Sequence, residues 1–187
     1  MAAEKRLVEV PKLKIETVSI TIEGTPPGLL VNKRDERIAK DTPPQKEAEL
    51  HLHKLDPERE GCLYGFPAVG IRKCVADCAG RTSSKAGTVV KANMFIVPGP
   101  DGLVPIDAPG FQPFTRWGGQ ARKNQIRLTS AHFPEWQMHL SVQYNVYKIT
   151  LQELLQYFAM AGFANGIGTW RPENNGLFGR FVVVNGG

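Results

Sequence analysis

The chain has 187 residues, 42% apolar and 22% charged, which is enough for one globular domain with a substantial core. No apolar run approaches the roughly 20 residues that span a bilayer, and Met1-Ala2-Ala3-Glu4-Lys5-Arg6 lacks the apolar stretch of a secretory signal, so a cytoplasmic setting without a membrane partner is expected. The net charge of +5 is uneven: residues 1–60 hold eleven Lys/Arg against twelve Asp/Glu, and residues 61–187 hold twelve against six. A mildly basic main body suits an anionic partner, nucleic acid among them, or serves solubility alone. The cysteines number three, an odd count that fits reduced thiols and not a disulfide framework.

Residues 1–16 mix charges with isolated apolar side chains around Pro11 and read as an N-terminal arm or a frayed end. Residues 17–187 read as a single domain. Val18, Ile20 and Ile22 alternate with polar residues, the period-2 pattern of a half-buried strand, and Gly24-Thr25-Pro26-Pro27-Gly28 ends it. An insertion over about residues 24–64 follows. Within it Glu49 to Leu55 alternates again and would put His51 and His53 on one strand face. Two histidines without a third ligand point to a solvated face and not to a metal.

From Phe66 to Ala79 the pattern turns helical, with Pro67 in the first turn and Gly80 just past the end. Ile71, Cys74, Val75 and Cys78 form its apolar stripe, so both thiols are expected to be buried. Arg72 and Lys73 lie near the helix start, where they would meet phosphate or simply be solvated. Lys85 to Val97 reads as a turn and a strand. Residues 98–120 carry five prolines and read as a long insertion, a functional loop or finger. It ends on Arg116, Trp117, Arg122 and Lys123, the most basic stretch, where aromatics interleave with cations as in single-strand binders.

Asn124–Leu128 and Glu135–Val146 read as two strands of one hairpin joined at Pro134. The second alternates Trp136, Met138, Leu140, Val142 and Tyr144 with a polar, nearly uncharged row that holds Gln137, His139 and Gln143. That wet face is a candidate support for a nucleic-acid strand, or carries only water. Thr150 and Glu153 form a capping box, Ile149 and Leu154 a hydrophobic staple, and Gly162 a stop. A glycine-punctuated loop with Trp170 and Arg171 then leads to a last strand, Phe178 to Val184. An aromatic and an arginine suit base stacking and phosphate contact; the alternative is a loop that turns sharply over a sheet edge. The order strand, helix, strand, strand, helix, strand predicts an α+β domain of ferredoxin-like (βαββαβ, RRM-like) type with an antiparallel sheet and two helices.

Gly166-Ile167-Gly168-Thr169-Trp170-Arg171-Pro172 and Gly176-Leu177-Phe178-Gly179-Arg180-Phe181 resemble the glycine-rich loop of the RAMP superfamily, the ferredoxin-like proteins of CRISPR effector complexes. Tyr64-Gly65-Phe66-Pro67-Ala68-Val69-Gly70-Ile71-Arg72 resembles the first-helix start of their backbone subunits. In its wording the C-terminal motif is similar to that of small phage and prophage proteins of unknown function. The resemblance covers roughly residues 15–30 and 62–184. It implies a viral protein in a bacterial cell that binds single-stranded RNA or DNA as a homo-oligomer, with no catalysis, cofactor or metal. It points to Gly166, Gly168, Gly176 and Gly179 as the loop, and to Arg171 and Arg180 as phosphate contacts. His132 and His139 match no catalytic motif, and a metal-independent RNase built on either is the weakest reading. The alternative is an interaction or assembly protein, a structural or host-defence-related phage factor that does not bind nucleic acid.

Overall fold

The computed structural model describes residues 13–33, 38, 41–56, 62–121 and 124–186. The protein is α+β, with three antiparallel sheets and four α-helices among the described residues. The strands are β1 (Ile15–Gly24), β2 (Leu29–Val31), β3 (His53–Lys54), β4 (Tyr64–Pro67), β5 (Met94–Val97), β6 (Leu103–Pro105), β7 (Gln112–Ala121), β8 (Asn124–Phe133), β9 (Gln137–Asn145) and β10 (Phe181–Gly186). The helices are α1 (Pro44–Leu50), α2 (Ala68–Thr82), α3 (Ser84–Asn93) and α4 (Leu151–Ala164). No helix of the described residues is long and apolar enough to cross a membrane.

The central sheet runs β10-β1-β9-β5. Val18, Ile20 and Ile22 of β1 register with Val142, Leu140 and Met138 of β9, so the apolar rows of the two strands share one face. The stripe of α2 and Leu154, Phe158 and Ala161 of α4 join those rows in one core. Phe158, Ile20 and Met138 are fully buried there, each worth about 1.5–3 kcal/mol of apolar transfer. Helix α4 comes so close to β10 that a Cβ on Gly162 would stand 2.1 Å from the Phe181 carbonyl oxygen. Gly162 therefore serves packing; the helix runs on to Ala164.

The other two sheets, β2-β8-β7 and β3-β4-β6, draw β2, β3, β6 and most of β7 from the expected insertions, but β8 and nearly all of β4 from outside them. Tyr64, Phe111 and Phe133 join them, with ring centroids 5.4–6.2 Å apart. The proline-rich segment over 98–120 is therefore no loop but holds β6 and most of β7. Pro105 and Pro113 fit because β6 and β7 are both edge strands, where a missing donor leaves no ladder bond unmade. Strand β8 pairs with β7 and not with β9, and the break at Pro134 carries the chain between sheets.

Three local readings change as well. Glu49–Leu55 is the end of α1 followed by the two-residue β3; buried His51 precedes that strand and donates from Nδ1 to the Lys33 carbonyl oxygen at 2.8 Å, so the two histidines do not share one strand face. Residues 84–93 are helical despite Val89 and Val90, because Ser83 caps α3 by accepting from the Ala86 amide at 3.0 Å. Gly80 lies inside α2 where α3 crosses it: a Cβ on Gly87 would meet the Gly80 Cα at 2.6 Å. Of the expected N-terminal arm, residues 1–12 lie outside the described residues, and Ile15 and Glu16 open β1.

The Thr150–Glu153 capping box is present in both directions. The Thr150 amide first, and its hydroxyl second, hold the Glu153 carboxyl below its ordinary range. A depressed carboxylate stabilises the fold above its unfolded pKa and loses that contribution as pH falls through the folded one. Thr150→Ala should cost about 1 kcal/mol at neutral pH in urea denaturation, and the deficit should shrink on acidification below the carboxylate range.

Candidate nucleic-acid interface

The segment from α4 to β10 folds back on itself. The Ile167 amide donates to Gly179 O at 2.9 Å, the Gly179 amide to Gly28 O at 2.7 Å, and the Thr169 amide to Leu30 O at 2.8 Å. A short 3-10 turn over Pro172–Asn174 closes the tip, with the Gly176 amide on Arg171 O and the Phe178 amide on Trp170 O. Gly166, Gly168 and Gly179 all have positive φ. At Gly179, φ 73°, a Cβ would sit 1.7 Å from Ile167 O, and at Gly176 it would sit 1.7 Å from Trp170 O. These glycines are required by backbone meeting backbone, the structural half of the two sequence readings.

Helix α2 holds the loop from below. The Cys74 thiol donates to Gly166 O at 3.1 Å, and buried Asn165 donates from Nδ2 to Cys74 O at 3.0 Å. Burial, then the neighbouring Cys78, push the Cys74 thiol up to about 12, so it stays protonated as a donor. Arg171 turns inward: Nε and Nη2 grip one Glu173 oxygen at 2.8 and 2.6 Å, and Nη1 donates to Gly168 O at 2.9 Å. Glu173 also meets Arg81 of α2 at 3.4 Å. Arg171 is thus a strut within the loop, and Asn165, Glu173 and Cys74 are the supports that sequence reasoning missed.

The start of α2 and the glycine loop, far apart in sequence, form two walls of one open cleft of about 280 Å³. Lys33, His53, Lys73, Arg171 and Glu173 line it, with Gly70 and residues 166–169. Pro67 caps α2 without a side-chain bond, and the first helical N–H, that of Ala68, donates to Gly102 O at 3.1 Å. Lys73 is paired with Asp77, as is Lys91. Burial raises the Asp77 carboxyl, but those two ammonium groups outweigh it and hold it low. Lys73 is a weakly held cation, because an exposed i, i+4 pair is worth only about 0.3–0.5 kcal/mol. Arg72, by contrast, points along β5: it donates to Met94 O at 3.0 Å and to Lys91 O, and its guanidinium lies 4.3 Å from the Phe95 ring centroid.

The β7–β8 hairpin reaches the same loop from the other side. The Arg116 guanidinium lies 3.9 Å from the Trp170 ring centroid, and Phe114 and His132 pack against Phe178. His132 has both nitrogens engaged: Nε2 donates to Pro27 O at 2.6 Å, which leaves Nδ1 to accept from Gln112 at 3.2 Å. Trp117 is 66% exposed. Arg180 stacks 5.0 Å from the Phe163 ring. Arg122 and Lys123 lie outside the described residues. Among the described residues no cluster of His, Cys, Asp or Glu is suited to a metal.

Gly179→Ala should destabilise by about 3 kcal/mol or more, since strain and collision add. Gly102→Ala, also at positive φ but with nothing within 4 Å of the added Cβ, should cost only the 1–2 kcal/mol or so of the left-handed backbone. Equal shifts in the two urea midpoints would remove the close-approach account. No protein-family model matches this chain, and no curated protein matches its sequence.

Proposed function

We propose that this chain is a non-catalytic binder of single-stranded nucleic acid, RNA or DNA, of ferredoxin-like and RAMP-type fold, acting as a homo-oligomer along or around the strand. The observation that carries the reading is the cleft where the first turn of α2, which has no side-chain cap, Lys33 and Lys73 face the glycine loop. Helix N-termini favour phosphate through their open N–H groups and dipole. The central order β10-β1-β9-β5, with α2 and α4 packed into one core on one face, supports the ferredoxin-like reading. Phosphate contact falls to Lys73 in this account, because Arg171 is committed to Glu173 and Gly168.

The outer face of the central sheet supports a second role. Apart from Glu23 at one end of β1 and exposed Ile15 at the other, its described side chains in β1 and β9 are polar and uncharged, with Phe95, Val97, Val182 and Val184 exposed on the edge strands β5 and β10. Among the described residues its strands carry no Lys or Arg on that face, and only Arg72 reaches its rim over Phe95, so it suits a protein neighbour better than a phosphate backbone. An assembly protein that ignores nucleic acid is therefore the alternative.

Fluorescence anisotropy with labelled single-stranded DNA and RNA at low salt tests the first reading; affinity for neither overturns it. Lys73→Ala should weaken binding several-fold at unchanged thermal stability and flatten the salt slope by about 0.7 for one lost phosphate contact. Arg171→Ala should lower the melting temperature together with any affinity. An oligomer whose light scattering is unmoved by nuclease, with no copurifying nucleic acid, favours the assembly reading.

A further inference from the structure

Trp170 is the one large aromatic with a left-handed backbone among the described residues, at φ 55°. Strain of this kind persists where the surroundings over-determine it, and it gathers at functional sites. Here the surroundings are flat groups. Phe178 lies within 8° of parallel to the indole, with centroids 6.2 Å apart, and Phe114 sits 6.3 Å away, inclined by 55°. The Arg116 guanidinium takes a face of the indole at 3.9 Å. Trp170 stays 37% exposed.

Arg116 differs from Arg72, Arg81 and Arg171, whereas Arg180 resembles it in resting on a ring, that of Phe163, at 5.0 Å. Arg72, Arg81 and Arg171 each have a carbonyl or a carboxylate to bind. Arg116 has no hydrogen-bond acceptor and no acidic partner among the described residues; its guanidinium lies over the indole. It is half-buried. A guanidinium is planar, weakly hydrated, and able to stack on one π surface while its second face and its edge donors stay available. Trp117 alternates with Arg116 along β7 and so lies on the opposite face of the hairpin.

We infer that Arg116, held over the Trp170 ring, is the stacking platform for one unpaired nucleobase, whose flanking phosphate accepts from the guanidinium edge. This rests on the single-strand reading above and adds where a base is held. The ligand class is an unpaired base within a strand, of any sequence, because every base offers a π face. Trp170 then acts as a positioning residue: its indole orients the guanidinium, and the left-handed turn orients the indole.

The test compares a single-stranded oligonucleotide with an abasic deoxyribose-phosphate strand of equal length, by anisotropy at one fixed salt concentration. The wild-type protein should prefer the base-containing strand, and Arg116→Lys should reduce that preference roughly ten-fold, the size of one lost base stack. Affinity of Arg116→Lys for the abasic strand should stay near wild type, because the charge is kept. Arg116→Gln, planar but neutral, should bind both strands more weakly while keeping most of the preference. Circular dichroism of each variant should overlay the wild type. An unchanged preference in Arg116→Lys overturns the platform. Wild-type binding to both strands with equal affinity overturns it too, while leaving the single-strand reading in place. No binding to either strand removes the single-strand reading itself.

Discussion

The approach of Gly179 to Ile167 is the contact on which the candidate site depends. There the chain leaving α4 and the chain entering β10 touch backbone to backbone, with no room for a Cβ. That contact turns Thr169 onto Leu30 of β2, directs Arg171 to Gly168 and Glu173, and leaves Trp170 in the left-handed region facing the β7–β8 hairpin. Each of these bonds alone is worth about 1 kcal/mol. They act together because the glycines fix the path that all of them share.

Around that loop the cations divide by what holds them. A bidentate arginine with a carbonyl on its third nitrogen is a structural part, since a phosphate would have to displace three bonds at once. A lysine in an exposed pair with Asp77 exchanges partners at little cost. An arginine that lies over an indole, with no acceptor among the described residues, has its donors still to use. The residue type is the same for Arg171 and Arg116; the neighbours decide the role.

The thiols and histidines follow the same logic. Cys74 is buried and protonated, a donor to Gly166 and not a nucleophile. His132 joins the turn at Pro27 to the hairpin through both ring nitrogens, and His51 closes the segment at Lys33. Chemistry-bearing side chains here act largely as struts between distant segments, which the fold needs because its two smaller sheets have only three strands each.

The sequence by itself determined the parts whose signals are local. The alternation in β1 and β9, the Ile71–Cys74–Val75–Cys78 stripe and the Thr150–Glu153 box each depend on residues within a few positions, and each is found. The α+β class followed from them. Tertiary structure decided whatever depended on neighbours in space. Whether Pro113 sits in a strand depends on β7 being an edge; whether residues 84–93 coil into a helix depends on Ser83 and on the room at Gly80 and Gly87. The glycine spacing marked the loop, but whether the glycines meet a ligand or other backbone is a question of distance, and so is whether an arginine is committed or open. Those distances arise only once α2, β2 and the β7–β8 hairpin are brought against residues 166–180.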